Sequence, residues 1–447
     1  MKNKGVKIWL CIVQSILVFI SANCLLPIRA AENGWLAAVA VVLFIAANVL
    51  PIIISPSVTK GARLRVCFHG AACLKAFAVS CVLSVIYHFA IIRLLFSGSW
   101  ALWLWSALIC VLAHTVLFWN GMICSYCASV QLGIRHRAIG LLCGFIPIAN
   151  LIMLYKIITV VSSEVEFETE KVRINDERKA DKICETKYPI LLVHGVFFRD
   201  FKHLNYWGRI PKELETNGAT VFYGNHQSAL SVADSGKELY DRIKEIVEQT
   251  GCQKVNIIAH SKGGLDCRYA MDKCGAKPLI ASLTTINTPH RGCGFADWLL
   301  EKVPLSVQQR IADTYNAALK KLGDSAPDFM SAVRDLTAKG CGEIDFGAEN
   351  TEEVLCQSVG SVLKRATGGK FPLNCTYHLV NYFDGENDGL VSEKSFCWGD
   401  SYRLLKTGGQ RGISHGDMID LNRENIPDFD VREFYVELVS DLKQRGL

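Results

Sequence analysis

Acidic residues are nearly missing from the first 162 positions of this chain, where Glu32 stands alone against twelve lysines and arginines. A soluble helical domain keeps mixed charge on its water-facing sides, so this scarcity excludes an ordinary soluble fold for that stretch. The cysteines lack a pattern: eighteen are scattered, nine in the first 162 residues and nine beyond, and no disulfide framework is visible. The one C-x-x-C pair, Cys124 with Cys127, lies in an apolar run and reads as helix packing rather than as a metal site. There is no internal repeat, low-complexity tract, dinucleotide fingerprint or phosphate loop, and no basic patch suited to nucleic acid, so neither a nucleotide cofactor nor a nucleic-acid partner is expected.

What is present divides the chain in two. The first 162 residues carry a net charge of +11, and the remainder, with 36 basic and 42 acidic residues, carries −6. Uncharged runs extend over Ile8 to Ile28, Asn33 to Thr59, Ala76 to Ile92, Leu94 to Ile134 and Ala138 to Tyr155. A bilayer core of about 30 Å takes roughly 20 helical residues to cross, so these runs predict a multi-pass, all-α transmembrane region of about five helices over residues 1–162. The first run could alternatively be a signal sequence ending near Cys24.

Basic residues set the expected orientation. Lys2, Lys4 and Lys7, then Lys60, Arg63 and Arg65, then Arg135 and Arg137 mark loops retained in the cytoplasm. Five crossings would then leave the rest of the chain outside the cell. The 41 uncharged residues from Leu94 to Ile134 could instead hold two passes around Asn120-Gly121, which would reverse the final side.

Residues 163–187 turn charged and read as a juxtamembrane linker, or equally as a short surface strand through Val165, Phe167 and Thr169. From Tyr188 the sequence alternates strand and helix, the mark of a parallel sheet covered on both faces. A strand is expected at Tyr188 to Val193, a helix at Trp207 to Asn217, a strand at Ala219 to Tyr223, a helix at Gly236 to Gln249 capped by Ser235 with Glu238, and a strand at Val255 to Ala259.

That last strand runs directly into His260-Ser261-Lys262-Gly263-Gly264 and a helical segment. A serine in such a turn is held in a strained conformation with its hydroxyl lifted above the sheet, and the small flanking residues let strand and helix approach. Ala259 replaces the first glycine of the usual G-x-S-x-G pattern. Asp388, in a turn after an apolar segment Tyr377 to Asn381 read as a strand, is the expected acid, with Asp384 and Glu386 as rivals. His415, the only histidine beyond Asp388, is the expected base. The order Ser, Asp, His is the order this fold imposes. Backbone N–H groups of Val196 and Lys262 are expected to hold the oxyanion, and His194 and His260 to serve as framework.

These residues resemble the bacterial triacylglycerol lipases of the Pseudomonas and Proteus type. The resemblance runs from residue 188 to about 425 through Tyr188-Pro-Ile-Leu-Leu-Val-His-Gly, Tyr206-Trp207, Ile210-Pro211, Lys254-Val-Asn-Ile-Ile, His260-Ser-Lys-Gly-Gly, Thr288-Pro-His-Arg-Gly and Asn387-Asp-Gly-Leu-Val. It implies an α/β hydrolase over residues 188–447 that acts on ester lipids, with Ser261, Asp388 and His415 as triad and a helical lid within about 294–372. Such lipases often hold a structural calcium near the histidine. Asp417 matches one ligand position, but the segment that would supply another is missing before Asp384, so no cofactor is expected. Acyl transfer by the same triad and an inactive lipid-binding membrane protein are the competing expectations.

Overall fold

The computed structural model describes residues 2–96, 98–196, 205–227, 229–346 and 353–447. Two compact units divide the chain, residues 1–176 and 177–447.

The first unit is all helical: α1 (Lys2–Ala22), α2 (Leu25–Ala31), α3 (Trp35–Ile54), α4 (Ala62–Ala90), α5 (Trp100–Ala128), α6 (Gly133–Cys143) and α7 (Ala149–Arg178), the last running two residues into the second unit. The helices α1, α3, α4 and α5 are long and apolar enough to cross a membrane. The 41-residue uncharged run holds a single helix, α5, continuous through Asn120-Gly121. Its close approach to α4 is enforced by glycine, since a Cβ on Gly70 would lie 2.6 Å from Ser125 Oγ. Polar side chains join the helices inside: Asn120 donates to Asn48 Oδ1 at 3.0 Å and its Oδ1 lies 3.2 Å from His69 Nε2.

The run expected as a fifth crossing is not one helix. It is divided by residues 144–148, where Pro147 lacks the N–H a helix interior needs and Ile148 takes a positive φ. The charged segment that follows continues α7 as helix to Arg178, so the alternative reading of a surface strand through Val165, Phe167 and Thr169 does not hold.

The second unit is built on a six-stranded sheet, all parallel, in the order β2-β1-β3-β4-β5-β6. Its elements are β1 (Ile190–Val193), α8 (Ile210–Thr216), β2 (Val221–Tyr223), α9 (Val232–Thr250), β3 (Val255–His260), α10 (Lys262–Lys273), β4 (Ile280–Ile286), α11 (Gly294–Lys302), α12 (Leu305–Lys321), α13 (Phe329–Asp335), α14 (Ala338–Glu343), β5 (Leu355–Ser361), α15 (Leu373–Phe383), β6 (Ser401–Leu405) and α16 (Val431–Gln444). The continuous apolar run of β1 serves both faces: Ile190 and Leu192 join the core on one side, Leu191 and Val193 the core on the other. The sheet and its covering helices fit the α/β-hydrolase fold.

Three expectations shift. The first helical turn of α9 lies upstream of the expected one, with Ser231 as N-cap accepting from the Asp234 N–H; Ser235 is an interior, buried residue. The segment Tyr377 to Asn381 is part of α15, not a strand. The span expected as a lid contains β5, a strand inside the sheet, so the helical insertion comprises α11 to α14; residues 347–352 of that span lie outside the described residues.

Candidate active site

Ser261 occupies the junction of β3 and α10 with φ 56° and ψ −132°. A non-glycine residue in that region costs about 1–3 kcal/mol and persists only where its surroundings impose it. Three glycines show how tight those surroundings are. A Cβ on Gly195 would lie 2.8 Å from the Ser261 Cβ, one on Gly263 would lie 2.5 Å from the His194 carbonyl oxygen, and one on Gly264 would lie 2.2 Å from Thr288 Oγ1. The motif's glycines are therefore a steric requirement of the turn.

Asp388 is fully buried and its carboxylate is saturated. Oδ1 accepts from the backbone N–H groups of Leu390 (2.9 Å) and Val391 (2.8 Å), and Oδ2 accepts from Asn287 Nδ2 (2.7 Å). The remaining partner is His415, whose Nδ1 lies 2.6 Å from Oδ2 and whose backbone N–H donates to the Asp388 carbonyl at 2.9 Å. With the Nδ1 proton donated to the carboxylate, Nε2 is left as the basic nitrogen. The imidazole lies 4.4 Å, centroid to centroid, from that of His260, the neighbour of Ser261. Asn287, at the end of β4 with a positive φ of 48°, was not foreseen from sequence; a lone asparagine ending a buried apolar strand is the signal that could have found it.

The rival acids are engaged elsewhere. Asp384 Oδ2 accepts from the Phe295 N–H at the start of α11, and Glu386 pairs with Lys406 at 3.2 Å. Asp417, the position matching a calcium ligand, is held by Arg411, with Nη1 to Oδ2 at 2.6 Å and Nη2 to Oδ1 at 3.1 Å, and also accepts the Ser414 N–H. A guanidinium already neutralises this carboxylate, and no group of three potential metal ligands gathers among the described residues, so the residues do not fit a calcium ion.

The two segments expected to supply oxyanion donors adjoin each other. Tyr206 accepts the Gly195 N–H at 3.1 Å, and its hydroxyl lies 2.7 Å from His260 Nδ1. Burial drives the His260 pKa well below its ordinary value, so it stays neutral and serves as framework. Val196 is half-buried against Ala229, Leu319 of α12 and Ala332 of α13. Lys262 sends its side chain inward, away from the turn, to Asp266 and Ser235.

A strained serine after the third strand and a carboxylate-bound histidine, set on a parallel sheet, place the second unit among proteins with the α/β-hydrolase architecture. No family model matches the chain. It is 35% identical over 170 residues to a triacylglycerol lipase of Pseudarthrobacter phenanthrenivorans, the match covering 35% of this chain and 53% of that protein. To a triacylglycerol lipase of Vibrio cholerae it is 28% identical over 292 residues, covering 59% and 90%. Among solved structures, a mature lipase of Bacillus licheniformis aligns with a TM-score of 0.42 and 21% identity over 57% of this chain and 92% of that one. The chain thus spans about half the length of the first of these relatives.

Proposed function

We propose that the protein is a membrane-embedded serine hydrolase that cleaves carboxylic esters of lipids through Ser261, His415 and Asp388. The observation that carries this reading is the 2.6 Å contact between His415 Nδ1 and a buried Asp388 whose other lone pairs are taken. Asp388 fixes the tautomer; His415 Nε2 takes the Ser261 proton as the hydroxyl attacks the ester carbonyl. The tetrahedral oxyanion is held by the Val196 and Lys262 N–H groups. It collapses to an acyl-enzyme as His415 protonates the leaving alcohol, and water completes hydrolysis by the same route. Relatives named triacylglycerol lipases and a highly apolar first unit support a lipid as the acyl donor.

Four crossings by α1, α3, α4 and α5 give a different side from the five expected, because an even number returns the chain to the face it started from. The contacts within the first unit favour that face. Glu164 of α7 accepts from Arg63 beside the α3–α4 loop and from Ser129 Oγ (2.5 Å) and the Val130 and Gln131 N–H groups of the α5–α6 loop, and Lys60 pairs with Asp176. Both loops belong to the basic, inside set. The chain therefore leaves the first unit on the cytoplasmic face, and the hydrolase is cytoplasmic.

The test uses full-length protein in detergent. A fluorophosphonate probe should label the parent stoichiometrically, and Ser261→Ala should abolish labelling and hydrolysis of a p-nitrophenyl ester chain-length series while far-UV circular dichroism is unchanged. Hydrolysis surviving in Ser261→Ala would refute the reading.

A further inference from the structure

The residue after Ser261 carries a buried ammonium that the reaction does not use. Lys262 Nζ donates to Asp266 Oδ1 at 2.6 Å, one helical turn along α10, and to Ser235 Oγ of α9 at 3.1 Å. Asp266 Oδ2 lies 3.7 Å from His226 Nε2. The His226 ring stacks on His194 with centroids 3.9 Å apart and planes within 9°. His194 in turn lies beside the second loop: its Nδ1 is 2.8 Å from the Gly195 carbonyl oxygen and its Nε2 is 3.2 Å from the His226 carbonyl oxygen, so a neutral ring donates to one of them at a time. These four side chains are all buried.

The chain of contacts begins at the residue whose N–H is one oxyanion donor and ends at the peptide whose N–H, on Val196, is the other. We propose that Lys262, Asp266, His226 and His194 form a buried positioning relay that sets the spacing of the two oxyanion donors; this rests on the serine-hydrolase reading of the same site. None of the four side chains touches the reacting atoms, so they are positioning residues.

The energetics favour a purpose beyond stability. Burying an ion pair costs desolvation that the attraction offsets only in good geometry, and an apolar pair of similar volume is often as stable or more so. Here burial raises the Asp266 pKa to about 7 despite the Lys262 ammonium beside it, with Asp335 of α13 and Glu238 of α9 adding to the rise. Strongly perturbed groups gather at functional sites, and this one lies within a run of contacts that joins both donor segments. Displacing one donor should cost less than removing it, and removal costs about 10²–10³ in rate, so a loss of about 10- to 100-fold is expected.

The experiment compares Asp266→Asn, His226→Phe and the apolar pair Lys262→Met/Asp266→Leu with the parent in the full-length protein. The readouts are kcat and KM on p-nitrophenyl butyrate, affinity for an alkylboronic acid, whose tetrahedral serine adduct uses the same donors, and Tm. Asp266→Asn and His226→Phe should lower kcat by about 10- to 100-fold, weaken boronate binding in parallel, and leave KM within about threefold. The apolar pair should retain a parent-like Tm yet keep the low kcat, which a merely structural role does not predict. Parent-like kcat in a folded apolar pair, or in His226→Phe should the pair fail to fold, would overturn the relay. If instead Ser261→Ala hydrolyses the ester like the parent, the reading of the site itself has failed, and the two failures are distinct.

Discussion

Asp388 and Asp384 lie four residues apart in one loop, and their partners separate them. Asp388 binds His415 Nδ1, whereas Asp384 accepts an N–H from the start of α11. An amide at 388 would present an N–H₂ where the imidazole N–H must be received, favouring the wrong tautomer. Asp388→Asn should therefore lower kcat by about three to four orders of magnitude. Asp384→Asn should leave kcat within about threefold and lower stability by about 1 kcal/mol, the usual scale of a helix-start contact; measured kcat values would show the reverse ranking if the acid were Asp384, and urea midpoints report the stability change. Because Arg411 holds Asp417 from within the chain, incubation with EDTA should leave hydrolysis within about twofold of the untreated rate, and a calcium-reversible loss would contradict this. The Asp388–His415 contact and the strained turn at Ser261 were legible because the proposed chemistry needs particular residue types in a fixed chain order. Asn287, Tyr206 and the Lys262–Asp266 pair were not, since their roles depend on which strand ends and helix faces come together, and no local spacing encodes that.

Helices and strands were legible where one face is buried over several turns. Leu239, Ile243 and Ile246 of α9 lie in the core as their spacing requires. The start of α9 was misplaced because two stretches satisfy the same capping pattern, Ser231 with Asp234 and Ser235 with Glu238. Tertiary contacts decided between them: Glu238 accepts from Gln227, through both backbone N–H and Nε2, while Ser235 accepts from Lys262. Ser231→Ala should therefore destabilise the second unit by about 1 kcal/mol in chemical denaturation with kcat nearly unchanged; a loss confined to Ser235→Ala would return the cap to the expected position. The apolar run from Tyr377 to Asn381 is too short for periodicity to distinguish strand from helix, and α15 uses it to seat Val380 beside Phe295 of α11 and Phe396. The strand that the sheet does use there, β5, was hidden within a span assigned to the insertion.

At the scale of the whole chain, the division into an apolar helical unit and an α/β unit followed from charge alone, whereas the proposed number of crossings depends on where the helices break. Apolar run length counts residues without asking whether one helix contains them. The break at residues 144–148 leaves α7 only fourteen residues, from Ala149 to Ser162, before its acidic segment begins. At about 1.5 Å per residue that is roughly 21 Å, short of a bilayer core of about 30 Å. Among the described residues four helices are long and apolar enough to cross, and Glu164 and Asp176 tie α7 to the basic loops, so the proposed four-crossing orientation puts α7 on the side of those loops. A C-terminal epitope tag should accordingly resist protease in intact spheroplasts and be digested only after the membrane is permeabilised. Breaking the tie with Glu164→Gln, which leaves an amide where Arg63 needs a carboxylate, should lower the thermal stability of the first unit without changing that protection pattern, because the proposed orientation rests on Lys60, Arg63, Arg65, Arg135 and Arg137. A tag cleaved in intact spheroplasts would require a fifth crossing through α6 and α7 and would return the hydrolase to the outside.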